Sequence, residues 1–240
     1  LAASIRSDGS SRFGAHNKWG TFPSVSLGWL ISEETFFKTT FPTVNIFKLR
    51  GSVGSSGSLP SSNYLQYNLY KVNAGSFEGN DGATSYNGVS AITPDFTSGA
   101  AQPDLSWEHS TQWNLGLDIE VNNGKYAGSV DIYNKENVDQ LFSIQLPETS
   151  GYETALTNAI GVRNYGVDVT LTARSLSETS PISWYSRINI SYSKSVVMNL
   201  PNGGRDLIMN GDRFNKSHIL TVGSPVNAFY LSKTLGVFAT

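Results

Sequence analysis

The residues best able to do chemistry are few and scattered. The three histidines, His16, His109 and His218, form no His-x-His or His-Glu-x-x-His arrangement, so neither a metal centre nor a nucleophile-base triad is expected. The chain has no cysteine, which removes thiolate ligands and any disulfide framework. Gly51-Ser-Val-Gly54-Ser-Ser-Gly57 lacks the Lys-Ser/Thr of a phosphate loop and reads as a flexible strand end. Glu78-Gly79-Asn80-Asp81-Gly82 offers oxygens to Ca²⁺ without the ligand spacing of a helix-loop-helix site, so an ordinary turn is expected. No residue pair suggests a nucleophile with its base, and the expected catalytic residues, metals and cofactors are none.

Two other sets suit binding. Tyr64, Tyr67, Tyr70, Phe77 and Tyr86 lie in a stretch rich in Gly, Ser and Asn, where rigid amphipathic rings offer contact surface for a sugar or peptide, or pack on each other as a small local core. Gln112, Asn114, Asp118, Glu120, Ser129, Asp131, Asp168, Thr170, Arg187 and Asn189 take alternate positions of four segments and are polar enough to wet a channel. On that face a lysine at Asp118 is expected to be tolerated.

The elements that position them are strands. In Gln112 to Val121 the alternate residues Trp113, Leu115, Leu117, Ile119 and Val121 give one wholly apolar face. Asn122-Asn123-Gly124 is a turn tolerant of positive φ, and Lys125 to Lys135 resumes the alternation with Tyr126, Val130 and Ile132, continuing as far as Phe142. Similar segments run over Leu1 to Ser7, Thr21 to Ile31, Val44 to Ser55, Tyr165 to Arg174 and Trp184 to Ser193, with a last partial strand over Ala228 to Phe238. Ser32-Glu33-Glu34 is placed to cap one helical turn carrying Phe36 and Phe37, ended by Phe41-Pro42. Asp8 to Gly20, Ser56 to Trp107, Ser143 to Val162 and Lys194 to Val222 read as loops, the second too long for a connector in a compact soluble domain.

Composition narrows the class. Charged residues make up 15% of the chain, below the roughly 25% usual in soluble domains. A net charge of −2 without clustered Lys and Arg argues against nucleic acid. No apolar run reaches the roughly 18 residues of a membrane helix, which leaves open crossing by alternating strands. The chain starts at Leu1 and stops within an apolar stretch, so it is expected to be part of something longer. A soluble sandwich has loops of similar length at both ends and buries its apolar faces against a second sheet. A membrane barrel alternates short turns with long loops, turns apolar faces to lipid, and carries aromatic girdles near strand ends, here Trp29, Trp113, Tyr126, Trp184 and Tyr192. The barrel accounts for the loop asymmetry better; a soluble extracellular β-sandwich or propeller binding carbohydrate through its aromatic loop stays the alternative.

Several blocks then resemble one family. Ser4-Ile5-Arg6-Ser7-Asp8-Gly9 through Arg12-Phe13-Gly14, Asn17-Lys18-Trp19-Gly20, Phe22-Pro23-Ser24-Val25-Ser26-Leu27-Gly28-Trp29, Lys48-Leu49-Arg50-Gly51-Ser52-Val53-Gly54 and Pro103-Asp104-Leu105-Ser106-Trp107-Glu108 are similar to the C-terminal barrel of SusC/RagA-type TonB-dependent outer-membrane transporters. So are Thr111 to Asp118, Asp131-Ile132-Tyr133-Asn134-Lys135 and Val162 to Asp168, all in family order. The resemblance implies an all-β antiparallel transmembrane barrel with long extracellular loops. Residues 1–240 would be about eight strands of a roughly 22-stranded, plugged barrel, the plug and other strands lying outside this chain. It implies TonB-dependent import of oligosaccharides or peptides across the bacterial outer membrane, with a SusD-like surface lipoprotein as partner, the TonB complex acting through the plug, and no enzymatic step. Trp113, Leu115, Leu117, Ile119, Val130 and Ile132 would face lipid, and Gln112, Asn114, Asp118, Asp131, Asp168 and Arg187 the lumen. Departures from the family concentrate in Ser55 to Ala101, so substrate identity does not carry over.

Overall fold

Long stretches with a two-residue hydrophobic period favour strands over helices, because only a pleated chain sends alternate side chains to opposite faces. The computed structural model describes residues 1–72, 85–86, 89–90, 92–95, 99–174, 183–209, 218–231 and 236. Its strands are β1 (Ala2–Gly9), β2 (Trp19–Leu30), β3 (Val44–Ser58), β4 (Tyr70–Val72), β5 (Ser85–Tyr86), β6 (Val89–Ser90) and β7 (Ile92–Pro94). They continue as β8 (Glu108–Val121), β9 (Tyr126–Gln145), β10 (Thr154–Arg174), β11 (Tyr185–Asn199), β12 (Leu207–Met209), β13 (His218–Leu220) and β14 (Ala228–Phe229).

Seven of these form one antiparallel sheet in the order β1-β2-β3-β8-β9-β10-β11, a meander in which every neighbour in space is the next long strand in sequence. The sheet is open, with β1 and β11 at its edges. The expected count was about eight: Ala228–Phe229 pairs instead with His218–Leu220 in a small separate sheet, and Phe238 lies outside the described residues. The Gly51 to Gly57 segment is no loose strand end, since β3 continues to Ser58 in register with Glu108.

Two further expectations about strand extents fail. Thr154 to Val162, read as loop, belongs to β10 and pairs with Asn137 to Gln145 of β9. The pairing slips around Asn158, Ile160 and Val162, and Asp139 sits at φ 56°. Each bulge inserts a residue and reverses the side-chain parity, so a strict two-residue period loses the strand. Likewise β11 runs on to Asn199, past the expected end at Ser193. The helix at Thr35–Thr40 forms and ends at Phe41, but its N-cap is Glu34, with no side-chain cap bond. Ser32, expected to help cap it, is buried one turn earlier in a 3-10 segment.

The connections alternate between the two ends of the sheet. At one end β2 leads to β3, β8 to β9 and β10 to β11; at the other β1 leads to β2, β3 to β8 and β9 to β10, and β11 ends at Asn199. These are called the turn end and the loop end. The two clusters of buried apolar residues both belong to the loop end. One joins Phe13, Phe22, Leu105 and Trp107, and the other Ile160, Val197, Leu200 and Leu220.

Candidate functional site

The two faces of the sheet differ in what their registers bring together. On one face Asp131 stands opposite Asp168 and Gly116, Gly116 opposite Arg50, Asn114 opposite Tyr133, Gln112 opposite Lys135, and Arg187 opposite Thr172. The six residues expected to line a lumen therefore share this polar face. Its centre is an ion cluster across three strands. Arg50 Nε donates to Asp118 Oδ2 at 2.7 Å and Nη2 to Asp118 Oδ1 at 2.9 Å, while Nη2 reaches the Asp131 carboxylate at 3.1 Å. The bidentate fork suits a planar guanidinium. It needs Gly116, since a Cβ there would come within 2.6 Å of Arg50 Cζ and 2.7 Å of Asp131 Oδ1. Arg50 was absent from the expected lining although its parity assigned it to the polar side. What the sequence hides is that β8, reached only after residues 59–107, lies beside β3.

The opposite face carries Trp113, Leu115, Leu117 and Ile119, paired with Asn134, Ile132, Val130 and Gly128. Among the described residues no second layer covers it: Leu115 is 58% exposed, Ile188 56% and Ile190 59%. A soluble sandwich buries such a face, and this one is bare across every strand from Leu27 in β2 to Tyr192 in β11. From Trp113 to Val121 the band measures about 27 Å along the strand at roughly 3.4 Å per residue. Tilted by about 40°, it spans about 21 Å along the membrane normal, most of the roughly 25 Å apolar belt of an outer-membrane barrel. Tyr126 and Trp184 lie toward the turn end of the band, Trp113 and Tyr192 toward its loop end, all partly exposed.

At the loop end the long connection is anchored. Leu65 packs on the Phe13 cluster. Leu65 O accepts from Gln102 N at 2.9 Å, Gln66 Nε2 donates to Ser11 O at 2.9 Å and Arg12 Nη1 to Pro60 O at 2.7 Å. Gly14 lies so close to the Pro103 carbonyl that a side chain would overlap it. Around the anchor, Tyr64, Tyr67 and Tyr70 are 64%, 61% and 65% exposed, and Tyr64 adopts φ 65°, an uncommon conformation for a tyrosine. Phe77 lies outside the described residues, as does Glu78 to Gly82, and of Tyr86 only the backbone is described. The histidines stand apart: His16 in the 10–18 connection, His109 near the Phe22 ring at 6.0 Å, His218 against Phe229 at 5.0 Å.

A two-faced antiparallel sheet with a bare apolar band and one long connection anchored at one end is a section of a membrane-spanning β-barrel. Comparison with known proteins narrows the class. The family model described as TonB dependent receptor-like, beta-barrel matches residues 1–234, and the chain belongs to that family. It is 33% identical over 237 residues to TonB-dependent receptor SusC of Bacteroides thetaiotaomicron, covering 95% of this chain and 23% of that protein. It is 32% identical over 238 residues to TonB-dependent receptor P39 of Formosa agariphila, covering 99% of this chain and 21% of that one. Among solved structures it resembles the RagAB peptide transporter, with a TM-score of 0.81 at 26% identity over 98% of this chain and 24% of the other. The RagAB peptide importer in its "open-open" state gives a TM-score of 0.75 over 93% of the chain. The chain thus spans about a quarter of the length of these relatives. Family membership sets it in the outer membrane, and the soluble sandwich or propeller is excluded.

Proposed function

We propose that the parent protein imports oligosaccharides or peptides through the outer membrane by TonB-dependent active transport, working with a SusD-like surface lipoprotein. The observation that carries this reading is similarity over nearly the whole chain to both a SusC receptor and a peptide importer. This section supplies wall and mouth and no chemical step. The apolar band of Trp113, Leu115, Leu117, Ile119, Val130 and Ile132 meets lipid. The polar face of Gln112, Asn114, Asp118, Asp131, Asp168 and Arg187 meets the lumen and its plug. Tyr64, Tyr67 and Tyr70 touch substrate or the lipoprotein lid; their exposure beside the half-buried Leu65 anchor supports this, because rings held ready for contact lose little entropy on binding.

Two measurements test the reading. Cells carrying the parent protein should accumulate labelled oligosaccharide or peptide only with an intact TonB complex, and the lipoprotein should copurify with it. Uptake that persists without the TonB complex overturns the transport mechanism. Replacing Tyr64, Tyr67 and Tyr70 together by alanine should weaken substrate or lid binding by about tenfold or more while barrel assembly, followed by heat-modifiable migration on gels, stays normal. Unchanged binding would reduce these tyrosines to surface packing.

A further inference from the structure

Resting on the membrane reading above, we infer that the apolar face carries, at its loop end, a binding site for the phosphorylated headgroup of an outer-leaflet lipid, built on Arg163 and Lys194. The register row Thr111, Glu136, Arg163, Val196 lies one step beyond the row Trp113, Asn134, Tyr165, Lys194 on the same face. Polar side chains on a lipid-facing surface are costly unless they sit at the interface and are paired, and Asn134, Glu136 and Arg163 satisfy both conditions. Asn134 is 7% exposed; its Oδ1 accepts from Arg163 Nε at 2.9 Å and its Nδ2 donates to Glu136 Oε1 at 3.2 Å. Arg163 Nη2 lies 2.9 Å from Glu136 Oε1. These contacts hold the guanidinium in one orientation and leave Nη1 without a hydrogen bond among the described residues, on a side chain 48% exposed.

Lys194 stands opposite Tyr165 and diagonal to Arg163, a separation of about 7–8 Å between neighbouring strands that two long side chains close easily. Glu136 offsets one of the two cations, and a single positive charge remains in surplus. Below them Trp113, Ile132, Tyr165 and Tyr192 line a groove of about 430 Å³ that also reaches Asn134 and Arg163. The combination selects its occupant. A soluble anion would leave the apolar groove unfilled, and an uncharged lipid would leave the surplus charge unpaired at the membrane interface. A lipid with a phosphorylated head and acyl chains satisfies both, its phosphate on Arg163 and Lys194 and a chain along Ile132 and Tyr192.

The test uses the full-length parent in nanodiscs of phosphatidylcholine doped with bisphosphorylated lipid A or its dephosphorylated form, with retained lipid counted by native mass spectrometry. The phosphorylated form should be retained preferentially, and Arg163→Gln and Lys194→Gln should each lower its retention by about tenfold, the cost of one charge-assisted contact. Lys125→Gln, at the turn end, should leave it unchanged. Lys194→Gln disturbs no ion pair of the sheet and so reports on binding even where Arg163→Gln destabilises the strand. Equal retention of both lipids, or no effect of either substitution in an inserted, heat-modifiable barrel, overturns the site. Failure of the unsubstituted parent to insert overturns the membrane reading and this site with it.

Discussion

Without its guanidinium, Arg50 would leave Asp118 and Asp131 on adjacent strands with Asp168 opposite the second, three carboxylates with Lys48, opposite Asp118, as the neighbouring cation. Like charges at cross-strand positions repel, and the side chains here are only about two-thirds shielded from solvent, so the penalty is moderated by screening. Arg50→Met is expected to destabilise the parent barrel by about 1–2 kcal/mol in urea unfolding from detergent, with Arg50→Lys recovering part, because the ammonium keeps the charge and loses the fork. A change below about 0.3 kcal/mol would show that the cluster is a surface ornament. The same geometry revises one expectation from sequence: a lysine at position 118 is not harmless on the polar face, since it would replace the bidentate partner of Arg50 with a second cation.

Among the elements, the hairpin β8-β9 shows which parts of the fold were readable in advance. Its faces follow from alternation alone, and its turn from Asn122-Asn123-Gly124, which adopt φ 53°, 54° and 79° as those residue types permit. What holds the turn was invisible, because the partners are remote in sequence. Asn123 N donates to Asn45 Oδ1 at 2.7 Å, Asn45 Nδ2 returns the bond to Asn123 Oδ1 at 3.0 Å, and Arg174 Nε donates to Gly124 O at 2.6 Å. The early part of β10 escaped for a different reason, its bulges breaking the period that the reading relied on. The face assignment gives a sharp comparison at this scale. Leu117→Lys is expected to cost about 2–4 kcal/mol and Gln112→Lys under about 1 kcal/mol in the same unfolding assay, because only the first puts an ammonium into lipid. The reverse order would exchange the two faces.

For the whole molecule, the placement of buried side chains is the reverse of a soluble domain. The middle of the sheet, from Leu27 to Ile190, leaves its apolar residues bare, and the Phe13 and Val197 clusters gather the burial among the loops. Alternation therefore revealed the class of fold, while the surface around Leu65 stayed obscure, since it depends on how Pro60, Leu65 and Gln66 meet the 10–18 connection. That long connection also orders the assembly of the sheet. The hairpins β8-β9, β9-β10 and β10-β11 close over short links, whereas bringing β3 against β8 closes a loop roughly tenfold longer than the 122–125 turn, an entropy cost about 2 kcal/mol greater. The four strands from Glu108 to Asn199 are thus expected to pair first as a local unit, and the three-stranded section ahead of them to join late, across the seam that the Arg50 fork spans.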